Sequence, residues 1–432
     1  MNDPFSPRRR RTYTDYLHAR IHVFLVAYVG YAVCYLVRNN FKFAQTAFEL
    51  KLSINAVTIG TILTIFALTY GLGKLLMGIL VDRTSMQKML VLSLTASGII
   101  CLLLPSAEKV WILQTLMGLL GIAQGASSPA ALAMIGSWYP NRERGMYVTI
   151  WNTSQNVGAA LLAFGASAIF ANTDAWPLIF WIPAIISFLC AWWIHRSIAD
   201  RPWQEGFPTL QEMYGRAGMP HSDLAQEDSY WQLLISALRT TPVLWLLIIL
   251  NSLLYFLRFG VINWMPQYLQ QAKPLLSTHP TTAIAWLELG AVPAVLIFAF
   301  FAYKFPAAMS NVGAASMLFL GVTIVCYQYA DSQFSVQLTA FAIGALVYAP
   351  QVVVNVLTLN LIPTRMAGAA VGLVGMSGYL IGEVAANLLL PRIALAAGWH
   401  SAYTLLVLLA LISCFVYLLL RPYERRAVVL EK

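Results

Sequence analysis

Charge is scarce in this chain. Asp, Glu, Lys and Arg make up 10% of its 432 residues, against about a quarter in soluble domains. That shortage excludes an ordinary soluble enzyme and a disordered, highly charged tail protein. Acids are scarcer than bases, 18 against 27, which leaves a formal net charge of +9. Cysteine is sparse as well. Cys34, Cys101, Cys190, Cys326 and Cys414 are scattered through apolar stretches with no CxxC and no metal-ligand spacing. A disulfide scaffold and a metal centre are therefore excluded, and the five read as packing residues. No Gly-Lys-Ser/Thr phosphate loop and no nucleophile with its base occurs, so neither catalysis nor a cofactor is expected. The basic run Arg8–Arg11 precedes an apolar segment too long for a signal peptide, with no small-residue cleavage site after it.

What fills the chain instead is apolar surface: 59% of residues are hydrophobic, with 21 Phe, 20 Tyr and 13 Trp. A helix crosses the hydrocarbon core in about 20 residues. Apolar runs between polar breaks predict twelve such helices, near 21–48, 54–81, 88–106, 109–138, 144–171, 176–196, 242–270, 281–303, 309–330, 335–362, 366–391 and 398–420. The expected fold is an all-α integral membrane protein, two six-helix pseudo-symmetric bundles at 21–196 and 242–420. A basic segment (1–20) precedes them, a polar linker (197–241) joins them and a tail (421–432) follows. The stretch 197–240 holds six of the 18 acids together with Pro202, Gly206, Pro208, Gly215, Gly218 and Pro220, a composition that builds no domain of its own.

The bases divide by position. With both termini cytoplasmic, 19 of the 27 Lys and Arg fall in cytoplasmic segments, four (Lys51, Lys109, Lys273, Arg392) lie outside and four (Arg38, Lys42, Lys74, Arg258) lie within spans. This positive-inside bias sets the orientation and accounts for most of the basic excess without nucleic acid. The arginine run would rest on anionic lipid.

A cation inside a span needs a partner or a task. Tyr35-Leu36-Val37-Arg38 in span 1 and Tyr255-Phe256-Leu257-Arg258 in span 7 repeat at an offset of 220 residues and at similar depth. Six-helix repeats with a site between them build one large class of transporters. Acids within spans are few, Glu288 and Glu383, with Asp82 at an edge. The interior thus favours an anionic ligand, and two guanidinium forks suit a phosphoryl group or carboxylate. Structural pairing of each Arg with an intramembrane Glu is the alternative. Polar stripes follow helical spacing at Arg38/Lys42/Gln45, Tyr348/Gln351/Asn355 and Tyr379/Glu383/Asn387, and Trp151–Asn156 is unusually polar. Such stripes serve a ligand or interhelical hydrogen bonds. Lys42 and Lys74 either meet the ligand or snorkel. Gly118, Gly121 and Gly125 are expected to let helices approach closely.

The loop Gly78-Ile79-Leu80-Val81-Asp82-Arg83 resembles the G-x3-D-R cytoplasmic latch of the major facilitator superfamily, whereas Tyr303-Lys304-Phe305-Pro306 in the second half has lost the acid. The wording Tyr35–Phe41, Trp138–Gly145, Trp151–Gly158, Leu257–Gly260 with Trp264 and Pro266, Glu288 near Pro293, and Tyr348-Ala349-Pro350-Gln351 resembles the organophosphate:phosphate antiporter family within that superfamily. The resemblance runs through nearly the whole chain. Val-Arg-Asn-Asn-Phe and Arg-Phe-Gly are nearest in wording to phosphoglycerate carriers, beside hexose-phosphate and glycerol-3-phosphate ones. It implies that Arg38 and Arg258 bind phosphate and that Lys74 is functional. Tyr35, Tyr255, Gln155, Asn152, Tyr348 and Gln351 would be hydrogen-bonding neighbours, with Glu288 and Glu383 as proton or charge-balancing groups. Gln155 stands where several bacterial members carry His, and Val371 and Val374 stand where some place charges, so the wall met by the rest of the ligand is less polar. The implied activity is alternating-access exchange of a small organophosphate for inorganic phosphate by a monomer in the bacterial cytoplasmic membrane, with no metal. Two other readings stay open at this point: a proton-coupled carrier of a polycarboxylate or siderophore, and a sugar-phosphate sensor that signals to a kinase.

Overall fold

The structure is a computed structural model that describes residues 13–80, 84–172, 175–197, 200–207, 210, 213, 235, 238–274, 280–305, 308–362 and 364–430. The first half comprises α1 (Tyr13–Phe43), α2 (Gln45–Leu52), α3 (Ala56–Leu80), α4 (Met86–Leu103), α5 (Val110–Gly125), α6 (Ser127–Trp138), α7 (Asn141–Asn152), α8 (Ser154–Asn172) and α9 (Leu178–Arg196). The second comprises α10 (Pro242–Ala272), α11 (Pro280–Lys304), α12 (Met309–Tyr329), α13 (Gln333–Leu361), α14 (Thr364–Ser377), a π-helical turn (Gly378–Glu383) and α15 (Val384–Leu430). Helices are what lipid permits, because each backbone donor finds its acceptor within the same segment. Ser and Thr side chains turn back to carbonyls four residues earlier, as Thr64 does to Gly60 at 2.8 Å and Thr358 to Val354 at 2.8 Å.

Among the described residues, eleven segments are long and apolar enough to cross a membrane, the last running 57 residues from Ala370 to Arg426. At about 1.5 Å per residue that stretch far exceeds one crossing of a core about 30 Å thick. It turns at Gly398, whose φ of 81° and ψ of 162° break the helix in a region open essentially to glycine alone. The chain therefore crosses twelve times, as the apolar runs predict. The structure differs in detail. Span 1 ends at Phe43, where Ala44 N bonds Phe41 O at 3.1 Å, and a separate α2 follows. Span 5 is interrupted at Thr153, whose Oγ1 bonds Ile150 O at 2.7 Å and faces the Tyr28 hydroxyl at 3.0 Å.

Both halves are knit by the same device. Spans 2 and 4 touch backbone to backbone, so that a Cβ at Gly121 would lie 2.7 Å from Phe66 O and one at Gly125 2.5 Å from Gly73 C. In the second half a Cβ at Gly344 would lie 1.7 Å from Leu287 O. Small residues permit this approach where no hydrophobic effect draws helices together. The start of the linker docks on the first half: buried Phe207 meets Tyr16 and Trp138 edge-on at 5.9 and 5.7 Å. Most of the remaining linker, and Asp82 and Arg83 of the expected latch, lie outside the described residues. Gly78 is described and has open space where a Cβ would stand.

Candidate anion-binding cavity between the halves

Arg38 and Arg258 stand past the midpoints of α1 and α10, the first helix of each half. Both are buried, and both open onto the space between the halves. Two adjoining narrow cavities share Arg38, Asn39, Lys42 and Phe259 as walls. The larger adds Phe41, Leu63, Phe66, Met117 and Glu383. The smaller adds Tyr35, Arg258, Ile262, Glu288 and Tyr348. The two arginines expected to converge do so.

Neither arginine has a carboxylate within 4.0 Å among the described residues, so structural pairing with Glu does not hold them. Aromatic faces do. The Arg38 guanidinium lies 3.9 Å from the centroid of Tyr70, with Phe66 and Tyr35 at 5.1 and 5.2 Å. Arg258 lies 4.0 Å from Tyr348, with Phe259 at 5.4 Å and Tyr255 at 5.9 Å. A desolvated cation–π contact is worth up to about 2 kcal/mol, against about 2.5–3.5 kcal/mol to place an arginine at the centre of a membrane helix on insertion scales. Two or three rings thus balance most of the insertion cost while leaving the N–H fork free for a ligand. Arg258 Nε and the Tyr70 hydroxyl are buried without a hydrogen-bond partner among the described residues.

Gln155, from the interrupted span 5, joins the halves. Its Oε1 accepts from the Tyr35 hydroxyl at 2.8 Å and from an Arg258 terminal nitrogen at 3.3 Å, and its Nε2 donates to Asn152 Oδ1 at 3.2 Å. Glu288, 1% exposed, accepts from Asn156 Nδ2 at 2.8 Å and from the Tyr348 hydroxyl at 2.8 and 2.9 Å. Glu383 is buried beside Arg38 and Lys42, with Oε2 unpartnered among the described residues. Other expected groups sit further off. Lys74 is half-buried, its ammonium 5.5 Å from the Tyr379 ring, which meets Tyr70 and Tyr255 edge-on at 5.0 and 4.9 Å. Tyr255 therefore belongs to an aromatic layer under the cavity. Gln351 points along its own helix to Asn355 at 3.4 Å and lines neither cavity. Val374 is buried and Val371 half-buried, and the Val374 carbonyl is occupied by Asn251 Nδ2.

The Major Facilitator Superfamily pattern matches residues 27–386. This chain belongs to that superfamily. Among curated relatives it is similar to the phosphoglycerate transporter protein of Salmonella typhimurium, 27% identical over 96% of this chain and 90% of the relative. It is also similar to the hexose-6-phosphate:phosphate antiporter of the same organism, 27% identical over 99% of this chain and 95% of the relative. Among solved structures the nucleoside transporter NupG is 11% identical with a TM-score of 0.73, covering 93% of this chain and 99% of its own. That likeness concerns the fold alone.

In this facilitator the two halves also meet away from the cavity, beyond the end of span 1. Gln45 Nε2 donates to Asn263 O at 3.1 Å, Thr46 Oγ1 to Gln270 Oε1 at 2.5 Å and Gln267 Nε2 to Glu49 Oε1 at 2.6 Å. These three contacts tie α2 to α10 and close that end. Sequence reasoning missed them, and missed Phe66, Phe259 and Asn39 as cavity walls and Tyr70 as the ring under Arg38. One signal was present for Tyr70, which precedes Lys74 by four residues and so shares its helix face.

Proposed function

We propose that this facilitator exchanges a small organophosphate for inorganic phosphate by alternating access. One observation carries the reading: two buried arginines, one from the first helix of each half, meet at one cavity with no carboxylate within 4.0 Å among the described residues. The resemblance to organophosphate carriers supports the same choice of ligand. The phosphoryl group enters between the Arg38 and Arg258 forks. Arg258 Nε and the Tyr70 hydroxyl supply unspent donors, and Gln155 trades its bond to Arg258 for one to the ligand. Binding a dianion to both arginines draws the halves together, and the loaded carrier then rocks so that access changes sides. Lys74 and Tyr255 support the arginines from the aromatic layer, and Asn152 orients Gln155. Glu288 and Glu383 balance cationic charge in the empty cavity.

The protein acts as a monomer in the bacterial cytoplasmic membrane with both termini cytoplasmic, as the placement of its bases implies. On that orientation the α2–α10 contacts close the outer side, and Gly78, Asp82 and Arg83 form a latch on the inner side. The test is uptake of labelled phosphate into proteoliposomes preloaded with phosphate, 3-phosphoglycerate, glycerol 3-phosphate or glucose 6-phosphate. Exchange that needs an internal phosphorylated ligand is the expected result. Uptake that follows a proton gradient and ignores internal phosphate would favour the carrier of another anion. Tight phosphate-ester binding with no exchange would favour the sensor.

A further inference from the structure

Lys42 lies one helical turn beyond Arg38 on α1, about 6 Å along the axis. A lysine so near the end of a span is free to reach for the polar boundary, yet Lys42 is 9% exposed and lines both cavities, with Nζ 5.6 Å from the Phe259 centroid. No carboxylate lies within 4.0 Å of it among the described residues. The charged groups around it are Arg38, Arg258, Glu288 and Glu383. Glu288 is already engaged by Asn156 and Tyr348. Two guanidinium forks suffice for a phosphoryl group, so Lys42 is a third cation, which shares its cavity with Glu383 but forms no ion pair within 4.0 Å among the described residues.

Its surroundings restrict what the rest of a ligand can be. Besides Arg38, Asn39, Lys42 and Glu383, the larger cavity is walled by Phe41, Leu63, Phe66, Met117 and Phe259, so few polar groups face the middle of a ligand. A sugar ring carries several hydroxyl groups, and each one buried there without a partner would weaken binding. A short acid is read at its two ends only, and its carbons suit an apolar wall.

We infer that Lys42 is a second anion-binding group, selecting organophosphates that carry a carboxylate at the end opposite the phosphoryl group. This rests on the exchange reading above and adds the substrate class to it: short phosphorylated carboxylic acids, ahead of phosphorylated alcohols and sugars. Glu383 shares the cavity and opposes the carboxylate, so it tempers the preference that Lys42 creates.

3-Phosphoglycerate and glycerol 3-phosphate differ at one carbon, a carboxylate in the first and an alcohol in the second. Half-saturation for exchange against labelled phosphate is measured with both, in wild type, Lys42→Gln, Lys42→Arg and Glu383→Gln, each normalised to the protein incorporated in the proteoliposomes. Wild type prefers the acid by about tenfold or more. Lys42→Gln reduces that ratio to near one, Lys42→Arg retains it and Glu383→Gln raises it. Partial misfolding lowers the maximal rate with both ligands and does not move either half-saturation, so a ratio near one in an active variant cannot come from misfolding. A wild type that treats the two ligands alike, or a Lys42→Gln ratio equal to that of wild type, overturns the inference and leaves phosphate exchange standing. Absence of exchange with every phosphorylated ligand overturns both.

Discussion

Replacing Arg258 with lysine keeps the charge and removes the fork. In the structure the fork does two things. A terminal nitrogen reaches Gln155 Oε1 at 3.3 Å, and the plane stacks 4.0 Å from the Tyr348 centroid. A lysine ammonium on the same stem retains part of the ring attraction. It cannot present two parallel N–H bonds to one phosphoryl group. The loss is then one charge-assisted hydrogen bond, about 1.5–3 kcal/mol. At about 1.4 kcal/mol per decade this becomes a rise of roughly ten- to 150-fold in half-saturation for phosphate. The assay is phosphate self-exchange in proteoliposomes at fixed ionic strength, because screening changes apparent affinity for an anion. Arg392→Gln is the control: Arg392 is exposed and bonds Leu388 O on its own helix, so removing it changes net charge without touching the cavity. Half-saturation in Arg258→Lys within about twofold of wild type would refute the reasoning, since a missing bond to a charged group costs more than that.

Gln155→Leu removes the acceptor shared by Tyr35 and Arg258, and a buried donor left unpaired costs about 1–3 kcal/mol; weaker phosphate binding and a lower Tm are both expected. Gly121→Val places a Cβ 2.7 Å from Phe66 O and 2.1 Å from Thr69 Oγ1. Forcing spans 2 and 4 apart costs about 1–3 kcal/mol and lowers Tm, while Gly165→Val, with open space at its Cβ, leaves Tm unchanged. Burial raises the Glu49 carboxyl above its ordinary range, partly offset by donation from Gln267. The closed α2–α10 end therefore holds the Glu49 proton more tightly than the open one. Closure is favoured fully below the ordinary carboxyl pKa, and the advantage is lost as pH rises through the raised one. The distance between spin labels at Leu50 and Gln271 should shorten on acidification in wild type and ignore pH in Glu49→Gln.

Much of this arrangement is visible in the residues before any coordinates. Twelve apolar runs mark twelve crossings because a membrane span is a length requirement on an uninterrupted segment. Arg38 and Arg258 stand out because a mid-span cation is expensive and these two repeat at one offset. Gln155 is legible for the same reason, an amide in a polar patch inside a span. The aromatic cushions are not. Tyr70 and Phe66 are ordinary occupants of a transmembrane helix, and only the crossing of α1 with α3 puts them under Arg38. The π-helical turn at Gly378–Glu383 has no simple composition signal, yet it carries Glu383 at the cavity and Tyr379 in the aromatic layer under it. Thr46, Glu49, Gln267 and Gln270 read as polar residues near span ends, where polar groups belong, and Gln45 as the end of the Arg38/Lys42 stripe. Their pairing across the halves is a property of tertiary contact. Gln351, which helical spacing puts on a polar stripe with Tyr348 and Asn355, bonds Asn355 and lines neither cavity.

The central claim is that one phosphoryl group is held jointly by Arg38 and Arg258 across the two halves. Equilibrium binding of inorganic phosphate to purified protein tests it directly through a double-mutant cycle of Arg38→Gln, Arg258→Gln and the double variant. Joint binding predicts that either single substitution removes nearly as much affinity as both, with a coupling energy of about 1–3 kcal/mol. Losses that simply add, as for independent sites, would contradict it.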